Sequence, residues 1–480
     1  MSPIRASAFN DKPCFLYFCA KFLAMAFDNR DSIDFGKSDI PKLFRSIFIP
    51  TLFGMLFNVA FILTDGIFVG HGVGPEGIAV VNLIAPILML VTGLGMLFGI
   101  GSSVVAAIHL SQENPKAARI NVTLAFMAGI TIAALLGLVL YLFPNGIMRL
   151  LGVSHDLMPM ARTYYLWFIP TCLLVMSQTI GEFVIRLDGS PRYAMFANII
   201  PAVINIILDY VFIFPCGWGL MGAALATDIG AGVGMLMTFY YMIFRPKQLS
   251  FYRLKRTWTS LRLSLRNVGY MFKLGLSAFI GEFAISIMMV TGNNVFGKYL
   301  GDNGIAAFSV ICYLSPVVTM VYNAVAQSAQ PIISFNHGAR QGERVRRTFS
   351  HSVSISLIFG VLVTLIFCLF APQIIAIFLE SNTEPFTLAS HGLPLYAIGY
   401  VFVAYNFSVI GYFQSIEQAN FATLLMLLRG CIFLIPAFLL MPMFFGVKGM
   451  WLAVPIAELL TFIVGFISRK MKMVPGTVDE

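Results

Sequence analysis

The feature that most constrains this chain is a run of about twenty apolar residues that recurs along its whole length. Such runs fall at roughly 46–69, 78–106, 120–143, 161–185, 193–214 and 220–244, and again at 270–296, 305–334, 350–371, 392–413, 420–444 and 449–468. A helix crossing the hydrocarbon core of a bilayer needs about 20 predominantly apolar residues. Lipid offers no hydrogen-bond partner, so the backbone must satisfy its own polar groups. The pattern predicts an all-α polytopic membrane protein with twelve transmembrane helices, and no stretch between the runs is long enough to bury a core of its own. Composition agrees, with 58% hydrophobic and 11% charged residues against about 25% charged in soluble domains.

The net charge of +9 raises the question of nucleic acid, and the positions of the 31 Lys and Arg answer it. A nucleic-acid binder gathers them on a folded polar surface with interleaved aromatics. Here they sit in short connectors that alternate between rich and nearly empty. With the N-terminus in the cytoplasm, 22 fall on inward connectors and four (Arg149, Arg162, Lys298 and Lys448) on outward ones. The positive-inside rule then predicts that both ends of the chain are cytoplasmic. Residues 1–36 form a leader that reads poorly as a signal peptide, because Lys21 interrupts its apolar stretch and no small-residue cleavage site follows. Met25 is an alternative start. The seven cysteines are scattered without metal-ligand spacing and read as small core residues.

The two sets of six spans are copies. Phe68-Val69-Gly70, Gly74 and Gly77-Ile78-Ala79 recur as Val295-Phe296-Gly297, Gly301 and Gly304-Ile305-Ala306, and Gly219 with Gly222 recur as Gly446 with Gly449. An even number of spans per copy gives both the same orientation, related by an axis along the membrane normal. The predicted organisation is two pseudo-symmetric six-helix bundles: an N-terminal lobe over 37–244, a cytoplasmic basic linker over 245–269, a C-terminal lobe over 270–470 and a tail over 471–480. The connector 245–273 carries eight basic residues and reads as a hinge, solvated and in touch with anionic lipid.

Polar residues at membrane depth cost about 2.5–3.5 kcal/mol each when charged, so their arrangement is informative. Helical spacing puts Gly54, Asn58, Phe61 and Asp65 on one stripe of span one. Thr171, Val175, Gln178 and Glu182 share a stripe of span four, and Asn198, Asn205 and Asp209 one of span five. Glu282, Ser286, Met289 and Asn293 do the same in span seven. A carboxylate among apolar groups has its charged form disfavoured, the property that proton coupling needs. Alternatively, Asp209 with Asn205 and Thr227 offers oxygens to a hard cation such as sodium. The bland reading is a carboxylate at the interface or paired with Arg429; Asp228 and Glu458 stand evenly between the two readings, and Asp188 reads as a turn or cap residue. In the second copy Asp65 falls on Gly292 and Asp209 on Pro436, so coupling is expected in the first half, with Glu282 and Arg429 left to the second half or the substrate. Mid-span prolines, Pro50 among them, can kink helices. The 25 Met and 45 Phe suit an adaptable cavity.

The stretch Ile49-Pro50-Thr51, Asn58, Asp65-Gly66-Ile67-Phe68-Val69-Gly70, Gly74, Gly77-Ile78-Ala79 resembles the opening signature of the multidrug and toxic compound extrusion (MATE) family. So do Arg186-Leu187-Asp188-Gly189-Ser190-Pro191, Asn205-Ile206-Ile207-Leu208-Asp209 and Gly219-Leu220-Met221-Gly222-Ala223-Ala224. The resemblance covers roughly 37–470 and is nearest to the MepA-like bacterial exporters. It implies two lobes that open alternately to each side while a proton or sodium gradient drives drugs out. It maps Asp65, Asn205 and Asp209 onto the family's first-lobe acids and amide, Pro50 onto its bending first helix, and Tyr164 and Thr227 onto supporting positions. Glu282 matches a helix-seven acid of another branch. Two positions depart from the pattern: Glu182 stands where Asn is common, and Val403 near where that other branch has an Asp.

These readings make the chain a multidrug antiporter of the bacterial inner membrane, exporting amphipathic, cationic organic compounds in exchange for H+ or Na+. The ion-coupling set is Asp65, Asp209, Asn205, Glu182 and Thr227, with Asp65, Asn205 and Asp209 as the ligands if the ion is Na+. The substrate cavity is expected to hold Asn58, Tyr164, Gln178, Asn198, Glu282 and Met289. No cofactor beyond the coupling ion and no nucleic acid is called for, and the family expectation is a monomer. The alternative is a flippase of lipid-linked saccharide in the same wider superfamily, whose cavity would favour basic residues; only Arg429 is clearly intramembrane. An enzyme would need a nucleophile with a base or a metal cluster, and neither that nor a nucleotide-binding loop is visible. A passive channel would not need the asymmetric acids.

Overall fold

The computed structural model describes residues 33–255 and 257–472. The leader readings, including Met25, Cys14 and Cys19, and the tail beyond 472 lie outside the described residues. Within them the chain is all-helical: α1 Ile40–Gly72, α2 Pro75–Ser111, α3 Pro115–Leu142, the short α4 Pro144–Leu150, α5 Met158–Phe168, α6 Thr171–Leu187, α7 Pro191–Ile213 and α8 Gly219–Phe244. After the linker come α9 Trp258–Gly338, α10 Gly342–Leu369, α11 Ala371–Ile375, α12 Glu384–Ala397, α13 Gly399–Ser415 and α14 Ala419–Leu427. A π-helical turn, Leu428–Ile432, and α15 Leu434–Lys472 complete it. Several helices open on proline, whose fixed φ suits the first turn where its missing N–H is not needed. Eight helices are long and apolar enough to cross a membrane, or ten if α5 with α6 (bent by 44°) and α12 with α13 (bent by 43°) each count as one span.

Two helical segments double back. Gly301, inside α9, has φ 62° and ψ −152°. Across it the Phe296 ring stacks on Phe308 with centroids 4.7 Å apart, where a straight helix would separate them by about 18 Å. Gly446 does the same inside α15, at φ 57°. Both have counterparts in the first half at positive φ: Gly74 (φ 106°) and Gly219 (φ 54°). Even the non-glycine positions Glu113 and Arg340, 227 residues apart, share φ near 57°, at 56° and 57°. The internal repeat is therefore a repeat of backbone conformation as well as of residues.

Each copy has its own core. The first centres on Phe98, Phe126, Ile180 and Tyr165, the second on Phe296, Phe308, Phe438 and Trp451. The copies meet about an axis marked by Ser103 of α2 and Gln330 of α9, repeat equivalents whose side chains hydrogen-bond at 3.3 Å. Equivalent residues touch only where a two-fold axis passes. A third core plugs the start of α1 (Leu43, Phe44, Ile47) into the second lobe against Val325, Ile332, Phe349 and Phe413. A further contact ties the lobes on the same side, where Arg186 donates to Gln327 Oε1 at 2.7 Å; within the second lobe Gln414 donates to Leu274 O and Ser277 Oγ, both at 3.1 Å. The lobes are thus closed against one another at the end carrying the basic connectors.

The linker departs from the sequence expectation. Residues 258–269 are the beginning of α9 rather than loop. The part before them is fastened to the first lobe: Asp188 accepts the backbone N–H groups of Lys247, Gln248 and Leu249 at 2.6, 2.8 and 2.9 Å, as well as the Tyr241 hydroxyl. Arg119 Nε donates to Gln248 O, and the Tyr252 N–H to Thr123 Oγ1. This part of the linker is held against the first lobe by its backbone. Asp188 serves as the turn residue expected, and it also organises the linker.

Candidate functional site

α7 carries the first part of the site. Pro201 has no N–H to give the carbonyl of Ala197 four residues earlier, and Gln178 of α6 supplies the missing donor, its Nε2 lying 3.1 Å from Ala197 O. Gln178, expected in the substrate cavity, is therefore occupied in mending α7. One turn beyond Pro201 stands Asn205, then Asp209. α8 comes close here because Gly230 lacks a side chain: a Cβ would lie 3.0 Å from Pro201 O and 3.1 Å from the Asn205 Cβ. That approach brings Thr227 to 3.4 Å from Asn205 Nδ2.

Asp209 is fully buried, and apart from the Asp65 carboxyl beside it neither of its oxygens has a hydrogen-bond partner; Asn205 Oδ1 is buried and unpartnered. Asp65, half-buried on α1, stands close enough to Asp209 for the two side chains to interact directly. Tyr164 of α5, buried at 5% exposure, lies within electrostatic reach of Asp65, Asp209 and also Asp228. Thr171 donates its hydroxyl to Asp228 Oδ1. Asp228, which the sequence left evenly between a functional and a bland reading, stands beside this group; its position directly after Thr227, on the helix facing Asn205, was the available signal. The first lobe thus gathers three carboxyls with no Arg or Lys paired to them among the described residues. Unpartnered buried acceptors cost roughly 1–3 kcal/mol each. An all-oxygen set of this kind fits a proton or a hard monovalent cation.

Glu182 does not join this group. It lies among Gln178, Asn198 and Arg186, with Arg186 Nη2 at 3.6 Å. Asn198 is eleven residues from Asp209, about 16 Å along α7. The spacing that put Glu182 on a polar stripe was correct; what it faces is an arginine held against the second lobe. Asn198 itself donates to Ala194 O at 3.3 Å and packs on Gly54 of α1. Asn58 is exposed on α1, and α1 runs unbroken through Pro50.

The second lobe is different. A cavity between the lobes is lined by Met96 and Phe183 of the first lobe and, among others, by Glu282, Met288, Arg429 and Glu458 of the second. Of the six residues expected in the substrate cavity, Glu282 lines it. Both Met288 and Met289 are half-buried against the second-lobe core, and it is Met288, one residue from the expected position, that lines the cavity. Arg429, on the π-helical turn, forks onto Glu458 Oε1 through Nε at 3.0 Å and Nη2 at 2.7 Å, while Asn406 Nδ2 donates to the other carboxyl oxygen at 2.7 Å. The guanidinium also lies 4.4 Å from the Phe407 ring centroid. The one clearly intramembrane cation is already neutralised.

Two duplicated helical lobes about a central cavity, with unpaired acids inside one of them, define the class: a polytopic membrane transporter. The model of the MatE family matches residues 50–211 and 277–439, one match in each lobe. The chain belongs to that family. It is similar to the multidrug export protein MepA of Staphylococcus aureus (strain NCTC 8325 / PS 47), 24% identical over 437 residues that cover 88% of this chain and 92% of that one. The MepA protein of Staphylococcus saprophyticus is 23% identical, covering 93% and 97%. Among solved structures, the outward-facing conformation of a multidrug resistance MATE family transporter of the MOP superfamily superposes with a TM-score of 0.84 at 21% identity, covering 92% of this chain and 97% of that one. A mutant of the Vibrio cholerae MATE transporter VcmN gives 0.84 at 21%, covering 92% and 98%.

Proposed function

We propose that the chain exports amphipathic, cationic organic compounds in exchange for H+ or Na+, by alternating access between its two lobes. The observation that carries this reading is the group of buried oxygens at Asp209 and Asn205 that has the Asp65 carboxyl beside it and no cation paired to it among the described residues. A group that lacks positive charge in the resting fold has a strong reason to take it up, and two helices of one lobe rearrange together when it does. In the proposed cycle Asp65 and Asp209 load the ion from outside, α1 bends about Pro50, the drug leaves, and the ion is released inside. Counting each side of Gly301 and Gly446 as a separate crossing brings the spans to twelve. The 22 inward basic residues then favour cytoplasmic ends in a bacterial inner membrane. Closure of the lobes at the basic end is the outward-open member of the cycle. Glu282, in no ion pair among the described residues, supports an organic cation as cargo, and the Arg429–Glu458 pair leaves no unpaired Arg or Lys in the lining of the cavity between the lobes for a lipid phosphate. The protein acts as a monomer in this reading.

The test is uptake of a fluorescent organic cation by proteoliposomes under an imposed pH gradient, with a sodium gradient in parallel and Asp209→Asn beside wild type. Gradient-driven transport lost in the variant supports the reading and names the ion. Equal transport by both proteins, or by neither under either gradient, overturns it.

A further inference from the structure

At the membrane face away from the basic connectors, the first lobe has a concave pocket that shares no lining residue with the cavity between the lobes. Asn145 and Arg149 of α4, His155, and Met158, Pro159 and Arg162 of α5 line it. Arg149 and Arg162 are two of the four cations on that face, and among the described residues neither guanidinium forms an ion pair. No acid lines the pocket; Asp156, next along the chain, is exposed and outside it. The inward bias of the chain's charge makes this convergence more telling, since half of the sparse outward cations meet at one place. It is not a by-product of the duplication, because 227 residues on the two arginines fall on Ala376 and Ala389.

The surroundings say what the pocket is shaped for. The first residues of α5 line it, so the positive end of the helix dipole lies beside the arginines, with the Met158 N–H already given to His155 O and none on Pro159. The position is fixed from behind, where the Tyr165 hydroxyl of α5 donates to Leu140 O of α3 at 2.9 Å. Tyr141, Leu142, Phe143 and Leu150 stand 66%, 58%, 63% and 85% exposed around it. Such an apolar rim belongs at the level where hydrocarbon gives way to headgroups. Guanidinium forks match the oxygens of phosphate.

We propose that this pocket binds an anionic phosphate group, either the phosphodiester of a phospholipid headgroup in the adjoining leaflet or free phosphate from solution. The assignment does not depend on the transport reading. It is tested with the full-length protein in neutral detergent by native mass spectrometry, titrating dioleoylphosphatidylglycerol, dioleoylphosphatidylcholine and inorganic phosphate. The variants are Arg149→Gln with Arg162→Gln, and, as a control on the opposite face, Arg346→Gln with Arg347→Gln, whose guanidinium groups are already paired with Glu343. The expected result is a loss of about ten-fold or more in affinity in the outer double variant, with the control unchanged. Loss confined to phosphatidylglycerol assigns the headgroup, and loss that extends to inorganic phosphate assigns the phosphate itself. Unchanged binding of all three ligands overturns the proposal. Should the double variant fail to fold, as judged by its melting temperature, His155→Gln supplies the same comparison with less change of charge.

Discussion

The two lobes share a backbone and differ in how they treat charge. In the first, Asp65, Asp209 and Asp228 collect around Tyr164 with no cation beside them. In the second, the equivalents of Asp65, Asp209 and Asp228 are Gly292, Pro436 and Pro455, and the acid of that lobe nearest its helix packing, Glu458, is locked to Arg429 and Asn406. One lobe clusters three acids with unmet electrostatic demand; the other leaves a single acid, Glu282, unpaired in the cavity wall and has met the charge of Glu458 internally. A duplicated fold can thus divide its labour: the paired lobe contributes rigidity and a cavity wall, and the unpaired lobe has something to gain from binding an ion.

The largest expected effect breaks the first half of that comparison. Asp209→Asn retains the shape of the side chain and removes its ability to load a proton or ligate a cation as a carboxylate. Gradient-driven transport should fall to the level of empty vesicles, while the melting temperature in detergent stays at or above that of wild type. A variant that melts lower and still transports would mean that Asp209 is structural and that the lobes do not differ in the way described.

Glu458→Ala addresses the second lobe and should show the opposite pattern. Removing one partner of a buried, hydrogen-bonded pair leaves the other charge uncompensated, at a cost of about 3–5 kcal/mol. Thermal unfolding in detergent would register this as a large drop. The companion double variant Arg429→Met with Glu458→Leu should recover most of the loss, because a buried pair replaced by apolar groups of similar volume is often neutral or stabilising. Failure of the double variant to recover would show that the pair holds something besides itself, the Asn406 contact and the π-helical turn being the first places to look.

How much of this was legible in the sequence depends on the length scale of the cause. Spans and lobes follow from apolar runs and from glycines that recur at a fixed offset, and both are written locally. The Asp65, Asn205 and Asp209 cluster was also legible, because helical spacing aligns it and the apolar residues around it make it conspicuous. Gln178 and Glu182 lay on the right stripe and were given the wrong partners. The reason Gln178 is needed is a carbonyl that Pro201 orphans on another helix, and Glu182 is claimed by Arg186, itself held by Gln327 of the other lobe. Met289 and Met288 differ by about 100° around one helix, a rotation that apolar periodicity does not resolve where both sides are greasy. The order of the linker was not legible because it comes from Asp188, some sixty residues earlier, and no local signal marks a carboxylate that will accept three backbone donors.

The smallest effect sharpens the comparison by testing what the lobes have in common. Gly74 and Gly301 both turn the chain between adjacent crossings at positive φ, and a Cβ at either would meet nothing within 4 Å. Substitution by alanine therefore costs conformation alone, about 1–3 kcal/mol for a backbone region that is nearly exclusive to glycine. Gly74→Ala and Gly301→Ala should lower the melting temperature by similar amounts, and Gly146→Ala, inside a helix with open space and no positive φ, should hold or raise it. Equal costs at the two turns would locate the asymmetry of this protein in its side chains. Unequal costs would put part of it in the backbone, and the charge difference between the lobes would then have to be read as a consequence of two folds that have drifted apart, instead of one fold used for two purposes.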